Sequence, residues 1–118
     1  MNQRKILEAA AKACRLSVLK TAHSKHGLMV AIDENSIVHT LWNPLTNPAD
    51  TAEMCAKLKI ATTWGITYDF VDCSVGLFAS SNETRAWFKD HDNSRLKAWM
   101  YAATMVAAKT QGYEDAHP

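Results

Sequence analysis

Arginine, tryptophan and lysine alternate in the segment 84–89, a pattern suited to binding. If this segment is a strand, Arg85, Trp87 and Lys89 share one face. A buried face does not tolerate two unpaired cations, and an ordinary exposed face gains little from a tryptophan. We therefore predict a partly hydrated surface on which Arg85 meets a carboxylate or phosphate and Trp87 packs against a subunit or a ring. The alternatives are that the segment is one helical turn, or that Trp87 covers the edge of its own core.

The segment 42–46, Trp-Asn-Pro-Leu-Thr, supplies three further candidate binding residues, Trp42, Asn43 and Thr46. Tryptophan is enriched where proteins bind partners or stack on bases. The competing interpretation places Trp42, Trp64 and Trp99 in the core, and it is favoured for each of them taken singly.

Cofactor and metal sites are not indicated by the sequence. His23 and His26 are three residues apart, but no third ligand lies nearby, and zinc sites use three or four ligands. The four glycines are scattered, and none opens a helix with phosphate-binding spacing. We expect a protein without a cofactor or a metal.

Candidates for catalysis are few. We interpret His39 as a hydrogen-bonded histidine in or near the core, and Cys55 and Cys73 as small apolar groups on inward faces. Asp90 and Asp92 flank a helix start, where acidic residues are stabilising in any case.

The composition describes one neutral globular domain. The 118 residues include 13 basic and 12 acidic side chains, a net charge of +1, which argues against a protein that coats nucleic acid. The three cysteines are odd in number and widely spaced, which favours free thiols in a reducing cytoplasm. We expect no signal peptide, because the N-terminal segment leads into a helix containing Glu8 and Lys12 instead of an apolar core, and no run approaches the ~18 apolar residues of a membrane span. We expect a cytoplasmic protein.

Helical periodicity predicts a first helix over residues 3–14. Residues 16–21 either extend this helix or form a short strand, which their leucine, valine and threonine content favours. Two β-rich runs, 28–32 and 37–42, flank a polar turn and predict a hairpin. Both faces of the second run carry apolar residues, which predicts a strand covered on two sides.

The junction of Asn47 and Pro48 predicts the start of a second helix. Proline restricts the preceding residue to extended backbone, so Asn47 can cap the helix while Pro48 occupies its first position. Asp50 adds negative charge near the positive end of this helix. Glu53 and Lys57 are spaced as an ion pair on its exposed side. Its inward stripe consists of Thr51, Met54, Cys55 and Leu58.

Alternating residues predict two more strands, over 62–70 and 71–77. The change of phase between them indicates a bulge or, as we favour, a tight turn near residues 68–70. Ser94 begins a final helix that ends at Gly112, and residues 112–118 form a frayed tail. The buried face of this helix is predicted to carry Leu96, Trp99, Met100, Ala103, Val106 and Ala107.

These elements predict a single α/β (α+β) domain over residues 1–118. The expected architecture is a three-layer α/β/α sandwich, with three helices covering a mainly antiparallel sheet of about four to six strands.

The order of the elements and three of their segments resemble the phage ABA-sandwich domain, a family of small phage and prophage proteins. The segments are Ile-Leu-Glu-Ala-Ala-Ala-Lys-Ala at 6–13, Trp-Asn-Pro-Leu-Thr at 42–46, and the alanine-rich run 94–108. The resemblance covers most of the chain. It implies a phage or prophage source and a three-layer α/β/α fold, and it supplies no catalytic residues.

We therefore expect a phage accessory protein that acts by binding, without catalysis, in the host cytoplasm. Its expected role is counter-defence, in which it sequesters or inhibits a host defence factor or a nucleotide signal. The expected partners are a host protein or a small anionic or nucleotide ligand, and further copies of the chain in a homo-oligomer. We expect neither membrane contact nor direct nucleic-acid binding. The alternatives are a small hydrolase using His39 or Cys73, and a structural or assembly component of the virion.

The cysteine pattern leads to a first prediction. Titration of the denatured, unreduced protein with a thiol reagent should detect three free thiols, because none of the cysteines is expected to form a disulfide. Detection of a single thiol would reveal a native disulfide and contradict the inference of a reducing compartment.

Overall fold

The computed structural model describes residues 3–19, 26–76 and 82–113. It contains three helices, six strands and one short 3-10 helix. In chain order these are α1 (Gln3–Ala13), β1 (Ser17–Val18), β2 (Leu28–Ala31), β3 (Thr40–Trp42), α2 (Pro48–Leu58), β4 (Ala61–Trp64), β5 (Phe70–Val75), β6 (Asn82–Trp87), the 3-10 helix (Phe88–His91) and α3 (Arg95–Lys109).

The strands form two antiparallel sheets of three strands each. The first sheet has the order β1-β2-β3 and the second the order β4-β5-β6. Every strand therefore pairs with a neighbour in sequence. The prediction of an α+β fold with three helices and four to six antiparallel strands is confirmed for the described residues. The division of the strands between two sheets was not predicted.

Helix α3 is the element against which most of the others pack. It contacts α1, α2, β5, β6 and the 3-10 helix. Its buried positions carry mostly small side chains, including Ala98, Ala102, Ala103, Ala107 and Ala108, all fully buried. Methyl groups allow neighbouring backbones to approach closely, so a short helix can serve several contacts at once.

The ends of α3 agree with the sequence in part. The Ser94 hydroxyl accepts a hydrogen bond from the Lys97 N–H at 3.1 Å, which confirms the predicted cap. Leu96 was predicted to be buried, but it lies in the first turn and is 48% exposed. The helix ends at Lys109, and Gly112, with φ of 81°, lies in the turn that follows. The predicted tail falls largely outside the described residues.

The first helix is confirmed, and residues 16–19 do not continue it. Helix α1 ends at Ala13, and Arg15 reverses the chain with a left-handed φ of 59°. Strand β1 follows and pairs Val18 with Val30 of β2. Residues 20–21 lie outside the described part of the chain.

The first hairpin is present, but its second arm is shorter than predicted. Residues 37–39 precede β3 and do not pair in the sheet. The prediction that this arm is covered on two sides is wrong, since Ile37 is 95% exposed and only Trp42 of β3 is buried. Apolar residues on both faces indicated a strand here, but they did not show which face of the strand the helices cover.

The predicted position of the turn between β4 and β5 is also wrong. It occupies residues 65–69, earlier than the predicted position near 68–70, and the Gly65 N–H donates to the Phe70 carbonyl at 2.8 Å. A side chain at position 65 would collide with the Tyr68 carbonyl and the Phe70 ring, so this turn needs glycine. Ile66 and Tyr68, predicted as strand residues, project from the turn into solvent.

The predicted start of α2 is confirmed. The Asn47 side chain accepts a hydrogen bond from the Ala49 N–H at 3.0 Å, and Pro48 occupies the first helical position. Asp50 does more than place charge in the first turn, because its carboxylate accepts a hydrogen bond from the Asn43 N–H at 2.9 Å. The cap thus ties α2 back to the end of β3.

None of the helices in the described residues is both long and apolar enough to cross a membrane.

Replacing Asn47 with alanine should lower the free energy of unfolding by about 1 kcal/mol, because the Ala49 N–H loses its acceptor. Replacing Asn47 with serine should leave the free energy of unfolding within about 0.5 kcal/mol of the wild type, since the serine hydroxyl can still accept a hydrogen bond at the cap. Urea denaturation of the wild type and both variants measures the difference. Equal losses in the two variants would show that the side-chain hydrogen bond does not stabilise α2.

Candidate functional site

The strongest candidate site lies on the outer face of the second sheet, where two of the three alternating residues come together. The segment 82–87 is a strand, so Arg85 and Trp87 share this face. Lys89 does not join them, because the strand ends at Trp87 and Lys89 belongs to the 3-10 helix. The predicted three-residue alternation is therefore wrong at its third member.

Pairing between β5 and β6 brings two further residues to Arg85. Register places Asp72 opposite Arg85 and Phe70 opposite Trp87. The Asp72 carboxylate accepts two hydrogen bonds from the Arg85 guanidinium, at 2.8 and 3.0 Å. We call these four residues the Arg85 cluster.

Ring contacts complete the Arg85 cluster. The guanidinium carbon of Arg85 lies 3.9 Å from the centre of the Phe70 ring and 5.7 Å from that of Trp87. The Phe70 and Trp87 rings meet edge to face, with centres 5.2 Å apart. Phe70, Arg85 and Trp87 thus each contact at least two members of the cluster, and Asp72 contacts Arg85.

The electrostatics of the cluster differ from the prediction that Arg85 meets a carboxylate or phosphate of a partner. The hydrogen bonds from Arg85 to Asp72 raise the pKa of Arg85, so the guanidinium keeps its charge. The carboxylate offsets that charge within the chain itself. Arg85 does meet a carboxylate, as predicted, but the carboxylate belongs to the same molecule. Two of the five guanidinium N–H groups are used in this way.

Helix α3 lies against the other face of this sheet. The inner residues Val71, Cys73 and Ala86 are buried there, whereas Trp87 on the outer face is 37% exposed. The turn at the same end of the sheet adds Tyr68, which is 65% exposed, and Ile66, which is fully exposed. We call the Arg85 cluster together with Ile66 and Tyr68 the aromatic surface.

The three candidates in the segment 42–46 do not form part of this surface. Trp42 and Asn43 are buried, which favours the core interpretation of Trp42. The Asn43 side chain donates to the His26 carbonyl at 2.9 Å and accepts from the Leu45 N–H at 3.0 Å. These polar groups are used to build the turn, and only Thr46 is exposed.

Gly27 packs against this turn, and the close contact requires a residue without a side chain. A side chain at residue 27 would lie 2.6 Å from the Trp42 carbonyl oxygen and 2.8 Å from the Asn43 Cβ atom. The φ of Gly27, +144°, is also unfavourable for other residues.

The two residues proposed for hydrolysis are not poised for it. Cys73 is buried, and burial raises the pKa of its thiol, although a hydrogen bond to Thr62 at 3.7 Å lowers it in part. Nucleophilic cysteines are accessible and have lowered pKa values. His39 is half-buried and belongs to the loop before β3, in the other sheet.

Metal ligands were not expected from the sequence. Within the described part of the chain, no group of three or more His, Cys, Asp or Glu side chains is arranged to hold a metal ion. Of the histidine pair considered above, His26 is described and His23 is not.

Phe70 and Asp72 are the functional candidates that the sequence did not reveal. Both alternate along β5 as Arg85 and Trp87 alternate along β6. The alternation within each strand can be read from the sequence, but only the register between the two strands shows which residues lie opposite each other.

No protein-family model matches the chain, and no curated protein is significantly similar to it in sequence.

The buried thiols lead to a prediction about alkaline pH. Burial, followed by the nearby thiols of Cys73 and Cys14, raises the pKa of Cys55 from an ordinary value of 9.0 to about 12. The unfolded chain therefore loses this proton at a lower pH than the folded chain. The resulting stabilisation is complete below about pH 9 and is lost as the pH rises to about 12.

Urea midpoints measured from pH 8 upward should fall through this range, and they should fall less steeply in the Cys55→Ala variant. The variant is the control for lysine and tyrosine ionisation, which it leaves unchanged. Parallel curves for the two proteins would contradict the raised pKa of Cys55.

Proposed function

We propose that this chain is a phage or prophage accessory protein that binds a host protein through the aromatic surface, without catalysis, and thereby counteracts host defence. The observation that carries the proposal is the ordered group of Phe70, Asp72, Arg85 and Trp87 on the outer face of the second sheet. Tryptophan, tyrosine and arginine are the residues most enriched at the energetic centres of protein interfaces.

Preorganisation supports binding at this surface. A long arginine side chain ordinarily loses conformational freedom when it enters an interface. Arg85 is already held by Asp72 and by the Phe70 ring, so much of that loss has occurred before a partner arrives. The rings supply apolar area around a charged pair that already shares two hydrogen bonds.

The charge on this face favours a protein over a nucleotide. Asp72 offsets Arg85, and Glu83 lies on the same face of β6, opposite Ser74. Lys89 was predicted to supply a second cation on this face, but it belongs to the 3-10 helix. With one basic and two acidic side chains, this face carries a net charge of −1, which disfavours a phosphate-bearing ligand. Exposed rings beside polar groups suit a protein partner.

The phage source and the three-layer arrangement of the fold are parts of the same proposal. They rest on the resemblance of the segments 6–13, 42–46 and 94–108 to the phage ABA-sandwich domain. Three helices and two antiparallel sheets, the second of which packs against α3, are compatible with a layered sandwich.

The proposal predicts a phenotype that depends on the aromatic surface. The wild-type gene, expressed in bacteria that carry one of a panel of defence systems, should raise the plating efficiency of a restricted phage. The double variant Tyr68→Ala/Trp87→Ala should lose at least about tenfold of that gain, because it removes two interface rings. Leu96→Ala is the matched control, since Leu96 is a similarly exposed apolar residue on α3.

Circular dichroism of the purified variants verifies that they are folded. A wild-type protein that relieves none of the systems would contradict the counter-defence role. A double variant with full activity would show that the aromatic surface is not the contact. If sedimentation shows wild-type oligomers that the double variant lacks, the surface binds a second copy instead of a host protein.

A further inference from the structure

A second site, independent of the aromatic surface, lies between the first sheet and α2. The structure contains a cavity there of about 310 Å³. Its floor includes the buried side chains of Val30, Trp42 and Met54. Cavities of this size with mostly apolar walls are typical small-molecule sites, and this one is near the lower end of their range.

The mouth of the cavity is apolar as well. Ile32, at 82% exposure, and Val38, at 66%, both line it, and Leu41 lies beside them. Single exposed apolar side chains are ordinary, but three around one opening form a continuous path from solvent to the cavity floor. The turn between Ile32 and Val38 is held by its own hydrogen bonds, from the Asn35 and Ser36 N–H groups to Asp33.

Charged residues of α2 occupy one wall. Asp50 is half-buried and gives one carboxylate oxygen to the Asn43 N–H at 2.9 Å, while its other oxygen has no hydrogen-bond partner in the described ranges. Glu53 and Lys57 also line this wall. Their predicted ion pair does not form among the described residues, where all three ion pairs involve other side chains.

The balance of these charges identifies the complementary head group. Two carboxylates face the cavity against one ammonium, so the wall carries a net charge of −1. Lys57 lies towards the Cys14 thiol. Burial raises the pKa of that thiol, and the charge of Lys57 partly offsets the rise. The unpartnered oxygen of Asp50 remains as a hydrogen-bond acceptor that suits an ammonium group.

We propose that this cavity binds a small amphiphile that has an apolar body and one primary amine head group. The body enters between β2, β3 and α2, against Val30, Trp42 and Met54. The protonated amine lies at the α2 wall, where Asp50 and Glu53 accept its hydrogen bonds.

Three probes with the same eight-carbon chain separate the apolar part from the head group: octylamine, octan-1-ol and octanoate. Isothermal titration calorimetry of the full chain at neutral pH, below the concentrations at which the probes form micelles, measures each affinity. We expect octylamine to bind about tenfold more tightly than octanoate, with octan-1-ol between them, because only the amine gains from the carboxylates.

Two variants of equal charge change test the head-group assignment. Glu53→Gln should weaken octylamine binding by about threefold, since it removes one carboxylate from the wall. Ala56→Lys changes the net charge by the same amount on the same helix, outside the cavity lining, and should leave the affinity within about twofold. Equal effects of the two variants would show long-range attraction and overturn the assignment.

The variant Val38→Trp tests the location without disturbing the core, because Val38 is exposed at the mouth. It should reduce the affinity for all three probes by at least about tenfold by filling the entrance. Unchanged binding would place the probes elsewhere and overturn the proposal. Equal affinities for octylamine and octanoate, or no binding of any probe to the wild type, would overturn it as well. None of these variants touches the aromatic surface, so failure here leaves the proposed function untouched.

Discussion

The close approach of α1 and the second sheet to α3 is the constraint on which the rest of the structure depends. Alanine is the side chain at most buried positions of that helix, so each partner can come near its backbone. Small side chains bury little apolar area individually, and they compensate through dense packing with many atom contacts. A larger residue at Ala102 or Ala103, both fully buried, would push α3 away from the elements packed against it.

Local chemistry explains what the sequence predicted well. The caps at Asn47 and Ser94 depend on neighbouring residues alone, and both are formed as expected. The strands were detected, and the pairing of β2 with β3 and of β4 with β5 was predicted through their turns. Their lengths and registers were not, because these are set by packing between distant segments. Ile37 and Leu96 illustrate the same limit: an apolar residue at the right spacing does not show whether another element will cover it.

The candidate site was predictable only within one strand. Alternation placed Arg85 and Trp87 on one face, which is correct, and extended that face to Lys89, which is not. The chain leaves the sheet at Phe88, whose N–H still bonds to the Asp69 carbonyl at 2.9 Å, before the 3-10 helix turns Lys89 away. Phe70 and Asp72 required knowledge of a cross-strand register that no single segment contains.

The pairing of strands only with their sequence neighbours has a consequence for assembly on the ribosome. Each sheet is a meander whose strands emerge consecutively, so each can form while synthesis continues. Helix α3 follows both sheets, yet it packs against α1 as well as against β5 and β6. Until α3 has left the exit tunnel, α1 and the inner face of the second sheet lack the surface that buries them. Nascent chains halted before residue 95 should therefore be sensitive to proteases and should bind chaperones. Resistance to proteases should be gained in one late step, when α3 packs.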